Sequence, residues 1–308
     1  MYDAIVIGAG PAGLAAAAYT AQYHLKTVVI APDLGGMARY RLQLPWMQER
    51  EVITGEDAVE RLRHLLVVSP SATRYMDVVE QVFLHNQNVH VVTGEGGTFE
   101  AHSVIVASGV RPRLLGVPGE QRLLGSGVSY SATSHAPLFA GRRVVVVGHD
   151  LRALRAAIEL RSIAAHVTLI TADQAEPQYY GMIQRLNDDP RVTVLANHIV
   201  KEITGDTDVT GVLAIGPDEQ AQLIPTEGVF IECGLQAETD FLGSLVERTP
   251  SGQIVVDDMC ATSTPGIFAA GDVTSSAYAE QMLIALGEGA KAGLSACSYV
   301  LGKDLHQR

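Results

Sequence analysis

Ala4-Ile5-Val6-Ile7-Gly8-Ala9-Gly10-Pro11-Ala12-Gly13-Leu14 is the stretch on which the fold of this chain turns. An apolar run stops at a glycine, and an Ala-rich stretch from Leu14 to Tyr23 follows that favours helix. Thr27-Val28-Val29-Ile30 then reads as a strand. The G-x-G-x-x-G spacing gives each glycine a task. Gly8 closes the turn, Gly10 lets backbone approach a pyrophosphate, and Gly13 lets helix pack on strand. A helix starting behind the turn, at Pro11 and Ala12, offers unpaired N–H groups and a positive dipole end to phosphate.

A second unit of this kind begins near residue 142. Val144-Val145-Val146-Val147 is followed by Gly148, a helical stretch from Leu151 to Leu160, and Val167-Thr168-Leu169-Ile170. Two strand–turn–helix–strand units predict an α/β protein with two Rossmann-like, doubly wound nucleotide-binding domains. Gly266 to Leu301 reads as a strand, a Gly-Asp turn and a long helix, so the simplest arrangement inserts the second domain into the first. The expected boundaries are 1–113 and 240–308 for the first domain and 114–239 for the second, with joints near Gly116-Val117-Pro118-Gly119 and from Gly234 to Thr239.

Composition narrows the function classes. The chain has 308 residues, enough for two domains with their own cores, and 47% apolar with 18% charged residues is normal for a globular protein. A net charge of −12 repels nucleic acid and anionic lipid, so neither is expected as a partner. No apolar run reaches transmembrane length, and Met1-Tyr2-Asp3 lacks the basic start of a signal peptide. Cys233, Cys260 and Cys297 are few, odd in number and far apart. They argue against a disulfide scaffold or a zinc site and suit a cytoplasmic protein with no metal.

Further segments carry a family likeness. They are Gly35-Gly36, Val104-Ile105-Val106-Ala107-Ser108-Gly109, and Thr264-Pro265-Gly266-Ile267-Phe268-Ala269-Ala270-Gly271-Asp272. With the first glycine turn, they make nearly the whole chain resemble the thioredoxin reductase branch of the pyridine-nucleotide disulfide oxidoreductases. The resemblance implies FAD, a homodimer, and an Asp272 that contacts the ribityl–phosphate region. It also implies that Gln281-Met282-Leu283 run along the flavin's pyrimidine edge. Gly287-Glu288-Gly289-Ala290-Lys291-Ala292 resembles a helix of the alkyl hydroperoxide reductase flavoprotein component. The implied cofactor set is Gly8, Gly10, Pro11, Ala12, Gly13, Gly35, Gly36, Met37, Ala107, Ser108, Gly109, Gly271, Asp272, Gln281, Met282 and Leu283. Two positions depart from it: Ala31 stands where many relatives hold the ribose with an acid, and Met37 where a Gln is frequent.

Larger departures fall on the redox machinery. The family's G-V-S-Y-C-A-T-C-D is here Gly127-Val128-Ser129-Tyr130-Ser131-Ala132-Thr133-Ser134-His135. Serine forms no disulfide and yields no anionic nucleophile near neutral pH, so thioredoxin reduction by the family mechanism is excluded. Ser131 or Ser134 either caps the following turn or faces the flavin as a hydrogen-bond donor, and His135 stands where the family has its proton-transfer acid. In the second glycine turn, Gly148-His149-Asp150-Leu151-Arg152-Ala153, the middle glycine is Asp150. A carboxylate about 4 Å from a phosphate charge costs about 4 kcal/mol at an effective dielectric near 20, about a thousandfold in affinity. Asp150 also suits a helix N-cap. The basic cluster that would hold a 2′-phosphate is replaced by Thr171-Ala172-Asp173-Gln174-Ala175-Glu176, and Arg152 and Arg155 either compensate in part or, as the simpler reading has it, form a solvated helix face. Asp173 leaves room for an NADH reading, through a ribose hydroxyl.

Of the remaining positions, Trp46 either packs in a core or stacks on the flavin, and Arg39, Tyr40 and Arg41 follow the Gly-Gly pair. Tyr179-Tyr180 is expected to pack on the second domain. The functional expectation is an FAD-dependent oxidoreductase whose flavin is the sole redox centre, working at Ser131, Ser134 and His135. A small-molecule substrate or a protein donor such as ferredoxin supplies its electrons. An NAD(P)H oxidase or flavin-linked reductase with a weak nicotinamide site, and a non-catalytic FAD-binding protein, stay open.

Overall fold

The computed structural model describes residues 1–39, 42–47, 56–173, 177–277 and 280–306. Two compact units divide the chain. One comprises residues 1–39, 54–111 and 236–308, the other residues 40–53 and 112–235.

The first unit starts with β1 (Tyr2–Ile7), α1 (Pro11–Gln22) and β2 (Thr27–Ile30), and continues with α2 (Glu56–Val68), β3 (Ala72–Tyr75), β4 (Val79–His85), β5 (Asn88–Thr93) and β6 (Thr98–Val106). Strands β3, β2, β1 and β6 lie side by side and parallel. Ala4, Ile5 and Val6 of β1 have no exposed surface, as a strand covered on both faces requires. Strand β6 joins the two parts of one mixed sheet: Thr98 to Ala101 pair antiparallel with β5, and its C-terminal half continues the parallel part.

The chain leaves through β7 (Val110–Pro112). The second unit contains β8 (Val128–Ser129), α3 (Ala132–His135), β9 (Arg143–Val147), α4 (Leu151–Leu160), β10 (His166–Thr171), α5 (Tyr180–Asn187) and β11 (Val192–Ala196). An antiparallel trio follows, β12 (Ile199–Gly205), β13 (Val209–Ile215) and β14 (Ala221–Pro225), and then β15 (Gly228–Ile231). The parallel sheet has the order β11-β10-β9-β15-β8. After β16 (Leu235–Ala237), β17 (Ile267–Ala269) pairs parallel with Val104 to Val106 of β6, and the long α6 (Met282–His306) closes the first unit.

Helix α1 has no charged residue, and α6 lies against it on glycines. A Cβ on Gly289 would sit 2.1 Å from Ala12 O and one on Gly293 2.9 Å from Ala16 O, so the two backbones approach more closely than side chains would permit.

Residues 42–47 group with the second unit rather than with the glycine turn they follow in sequence. Leu42 and Leu44 are buried in the core that holds Phe139, Val144 and Phe230. The Trp46 indole N–H donates to Leu138 O at 2.8 Å, its ring meets Phe139 edge-on at 5.7 Å, and Arg142 lies over it at 4.4 Å. Trp46 is thus a packing residue of that core. Tyr179 packs on the same core, whereas Tyr180 is exposed.

Candidate functional site

Three glycines shape the first turn in three different ways. Gly8 has φ +101°, and a Cβ there would meet Ala107 O at 2.2 Å. A Cβ on Gly13 would meet Gly8 O at 2.0 Å, which fixes how closely α1 packs on the turn. At Gly10 a Cβ would find nothing within 4 Å. Gly10 is the N-cap of α1, Pro11 is its first residue, no side chain caps the helix, and its first turn holds no acid. The described residues therefore leave a helix N-terminus with free N–H groups facing open space, as an anionic group bound there requires.

Neighbouring segments frame that opening. The Gly35 N–H donates to Ala9 O at 2.8 Å, and a Cβ on Gly36 would lie 3.1 Å from Gly10 Cα. Asp33 Oδ1 accepts from the Gly36 N–H at 3.0 Å, so the acid just past β2 holds the Gly-Gly turn. Ala107 N–H donates to Ile7 O, and the Ser108 hydroxyl to Glu238 O at 2.6 Å, beside Gly109 with its positive φ. Gly271 has φ +79°, and a Cβ there would lie 2.8 Å from that of Ala12. Asp272 follows, and Gln281 leads into Met282 at the start of α6. Met37, Leu283 and Ile284 are exposed apolar side chains of this unit, of the kind that packs on a flat aromatic ring. All the cofactor residues expected from sequence belong to this one unit. The fit to an FAD pyrophosphate rests on the open N-cap at Gly10. Tyr40 and Arg41 lie outside the described residues, as does the Arg39 side chain.

The second glycine turn is built alike and ends differently. Gly148 has φ +152°, and a Cβ there would strike Glu232 O at 2.4 Å. Asp150 caps α4, its Oδ1 accepting from Arg152 N–H at 3.0 Å and Ala153 N–H at 3.1 Å. The helix end that would bind phosphate is thus taken by a carboxylate of the chain itself. Arg152 is not on a solvated face. Its Nε pairs with Glu232, a carboxylate only 2% exposed, and its Nη2 donates to Tyr130 O at 3.1 Å. Arg155 is exposed. Asp173 is exposed beyond β10, with Thr171 Oγ1 donating to its carbonyl at 2.6 Å. Residues 174–176 lie outside the described residues.

The Ser-x-x-Ser segment hangs from the same turn. Glu232 Oε1 accepts from the Ala132 N–H at 2.7 Å. Ser131 is the N-cap of α3: its Oγ accepts from Ser134 N–H at 3.3 Å and donates to Ser134 Oγ at 3.2 Å. Ser129 Oγ lies 2.7 Å from His135 Nδ1. Burial pushes the His135 imidazole from 6.5 down to about 4, so it is neutral at pH 7 and a poor proton donor there. The unfolded chain takes up this proton near 6.5 and the folded one only near 4. Stability is therefore full above about 6.5 and falls as the pH drops towards 4, by up to about 3 kcal/mol. Urea midpoints at pH 7 and 4.5 should show that fall, and His135→Asn should flatten it. Parallel slopes in the two proteins would place the acid sensitivity elsewhere.

All three thiols are unpaired, and burial raises each of them to about 11. Among the described residues no group of His, Cys, Asp or Glu is arranged to hold a metal ion, and no helix is long and apolar enough to cross a membrane.

The family model described as pyridine nucleotide-disulphide oxidoreductase matches residues 2–289. The chain belongs to this family. It is 38% identical over 307 residues to a component of the alkyl hydroperoxide reductase of Pseudomonas aeruginosa, and 34% identical over 307 residues to an NADH dehydrogenase of Ferdinandcohnia aciditolerans. Each of these matches covers 97% of this chain but only 58% of the relative. Among solved structures, thioredoxin reductase from Streptococcus pyogenes superposes with a TM-score of 0.89 at 30% identity, over 98% of this chain and 99% of that one. The two-domain thioredoxin-reductase-like fold and the flavin-oxidoreductase family are thereby shown.

Sequence reasoning passed over Glu232 and quoted Glu288 within Gly287 to Ala292 without giving it a role. Glu288 Oε2 accepts from the Gly271 N–H at 2.8 Å. Neither acid sits in a motif that predicts its partner, since Glu232 reaches its arginine across 80 residues of chain.

Proposed function

We propose that the chain is an FAD-dependent oxidoreductase whose flavin is its only redox centre and whose nicotinamide turn no longer grips NADPH. One contrast carries this reading: the N-terminus of α1 is open at Gly10, and that of α4 is closed by Asp150. The first retains free N–H groups for a pyrophosphate. The second has spent two of its N–H groups on a carboxylate that also repels phosphate.

When bound, FAD supplies one- and two-electron transfer. The residues of the chain hold and orient it. Gly8, Gly10, Pro11, Ala12 and Gly13 form the phosphate turn, and Gly35, Gly36 and Met37 the facing loop. Ala107, Ser108 and Gly109 lie at the end of β6, and Gly271, Asp272, Gln281, Met282 and Leu283 complete the site. Ser131, Ser134 and His135 are the catalytic candidates. The hydroxyls can donate hydrogen bonds to a substrate, and the neutral His135, a weak base with its pKa lowered to about 4, can orient one by hydrogen bonding. Thiols raised to about 11 are almost wholly protonated at pH 7, which removes Cys233, Cys260 and Cys297 as nucleophiles. The proposal includes a homodimer in the cytoplasm that takes electrons from a small molecule or a protein such as ferredoxin.

An anaerobic reductive titration tests the sole-centre reading. Full bleaching should consume about two electrons per FAD, and about four would require a dithiol couple as well. A second reading, a reductase that uses weakly bound NADH, draws on the exposed Asp173 carboxylate beyond β10 as a partner for a ribose hydroxyl.

A further inference from the structure

Two adjacent residues of α6 touch the two halves of the flavin site. Gly289 lies on the first turn of α1, where a Cβ would stand 2.1 Å from Ala12 O. Glu288 reaches the other way, and its Oε2 accepts from the Gly271 N–H at 2.8 Å. Gly271 in turn rests on Ala12, since a Cβ there would be 2.8 Å from the Ala12 Cβ. Its φ of +79° is a conformation open to glycine, and it turns the chain into Asp272. The rest of the turn is tied to itself: Thr274 Oγ1 donates to Gly271 O at 2.9 Å and lies 3.0 Å from Ser276 Oγ. Ser276 also hydrogen-bonds the Glu288 carboxyl, and the Cys260 thiol donates to the Glu288 carbonyl at 3.7 Å.

We propose that Glu288 is a positioning residue for the flavin, its carboxyl holding the Gly271–Asp272 turn against the open phosphate cradle at the start of α1. The inference rests on the FAD reading above. It concerns length and hydrogen-bonding geometry rather than charge. Half-burial raises the Glu288 pKa, against the lowering by the Gly271 N–H, Lys291 and Ser276. A glutamine keeps an acceptor oxygen at the same reach, whereas an aspartate keeps the charge on an arm one methylene shorter.

The test is the FAD dissociation constant of apoproteins, followed by flavin fluorescence and checked for native far-UV dichroism. Glu288→Ala should weaken FAD about ten- to a hundredfold, the cost of leaving the Gly271 N–H without its acceptor. Glu288→Asp should weaken it comparably, and it carries the test if the alanine variant does not fold. Glu288→Gln should restore the affinity to within about threefold of wild type. Equal affinity in wild type, Ala and Asp variants overturns the role of Glu288. A glutamine variant as weak as the alanine one overturns the positional account. Wild-type protein that takes up no FAD overturns the cofactor reading itself, a result distinct from either.

Discussion

Gly10→Val should give a folded protein that cannot hold flavin. Gly8 and Gly13 cannot make this test, because a Cβ at either lies 2.0–2.2 Å from a backbone oxygen and the turn itself would fail. Gly10 is different. It sits at φ −71° and ψ −174°, ordinary extended backbone, and nothing lies within 4 Å of the Cβ it lacks. The fold does not need a glycine there; a phosphate approaching the backbone does. A branched side chain would push the pyrophosphate off at least two N–H donors, about 4 kcal/mol or a thousandfold in affinity. The flavin-to-protein absorbance ratio should collapse while the melting temperature of the apoprotein stays put. A yellow Gly10→Val protein would mean that the cofactor, if it binds, enters elsewhere.

The second large effect is on stability. Arg152→Ala takes the arginine cation from the Glu232 carboxylate, which is 2% exposed, and a donor from Tyr130 O. Breaking one side of such a pair costs about 3–5 kcal/mol, whereas replacing both partners together can be close to neutral. Denaturant unfolding should therefore show a severe loss for Arg152→Ala and a partial recovery in Arg152→Met/Glu232→Gln. Additive losses in the double variant would mean that the two side chains do not act as a pair. The same substitution discriminates function. An arginine engaged with Glu232 is not a phosphate clamp, so nicotinamide affinity should change little when it is removed.

Much of the architecture was legible because it rests on local pattern. β1, α1 and β2 follow from one glycine turn between two apolar runs, and α4 covers Leu151–Leu160 as its sequence predicts. The division of labour among Gly8, Gly10 and Gly13 could also be read from their spacing, since each position in that turn has a fixed backbone task. The residues that escaped act across distance. Arg152 looks like a solvated helix residue until β15 brings Glu232 beside it. Trp46 follows the first glycine turn in sequence, yet the burial of Leu42 and Leu44 places its segment in the other unit's core. Apolar residues in a connecting segment show that it must pack somewhere, but not on which core. Serine and histidine were ambiguous for another reason. Ser131 caps α3 in the structure, its oxygen accepting from the Ser134 N–H while its proton goes to Ser134 Oγ, a pairing that spacing alone does not choose over a flavin-facing donor.

The most direct test is anaerobic mixing of the FAD-loaded protein with NADPH, NADH and reduced ferredoxin, followed at the flavin band near about 450 nm. With the α4 turn capped by Asp150, bleaching by NADPH should be slow and should not saturate below about 1 mM. Rapid bleaching that saturates at micromolar NADPH would contradict the account, since it would require a working phosphate grip where the chain has placed its own carboxylate.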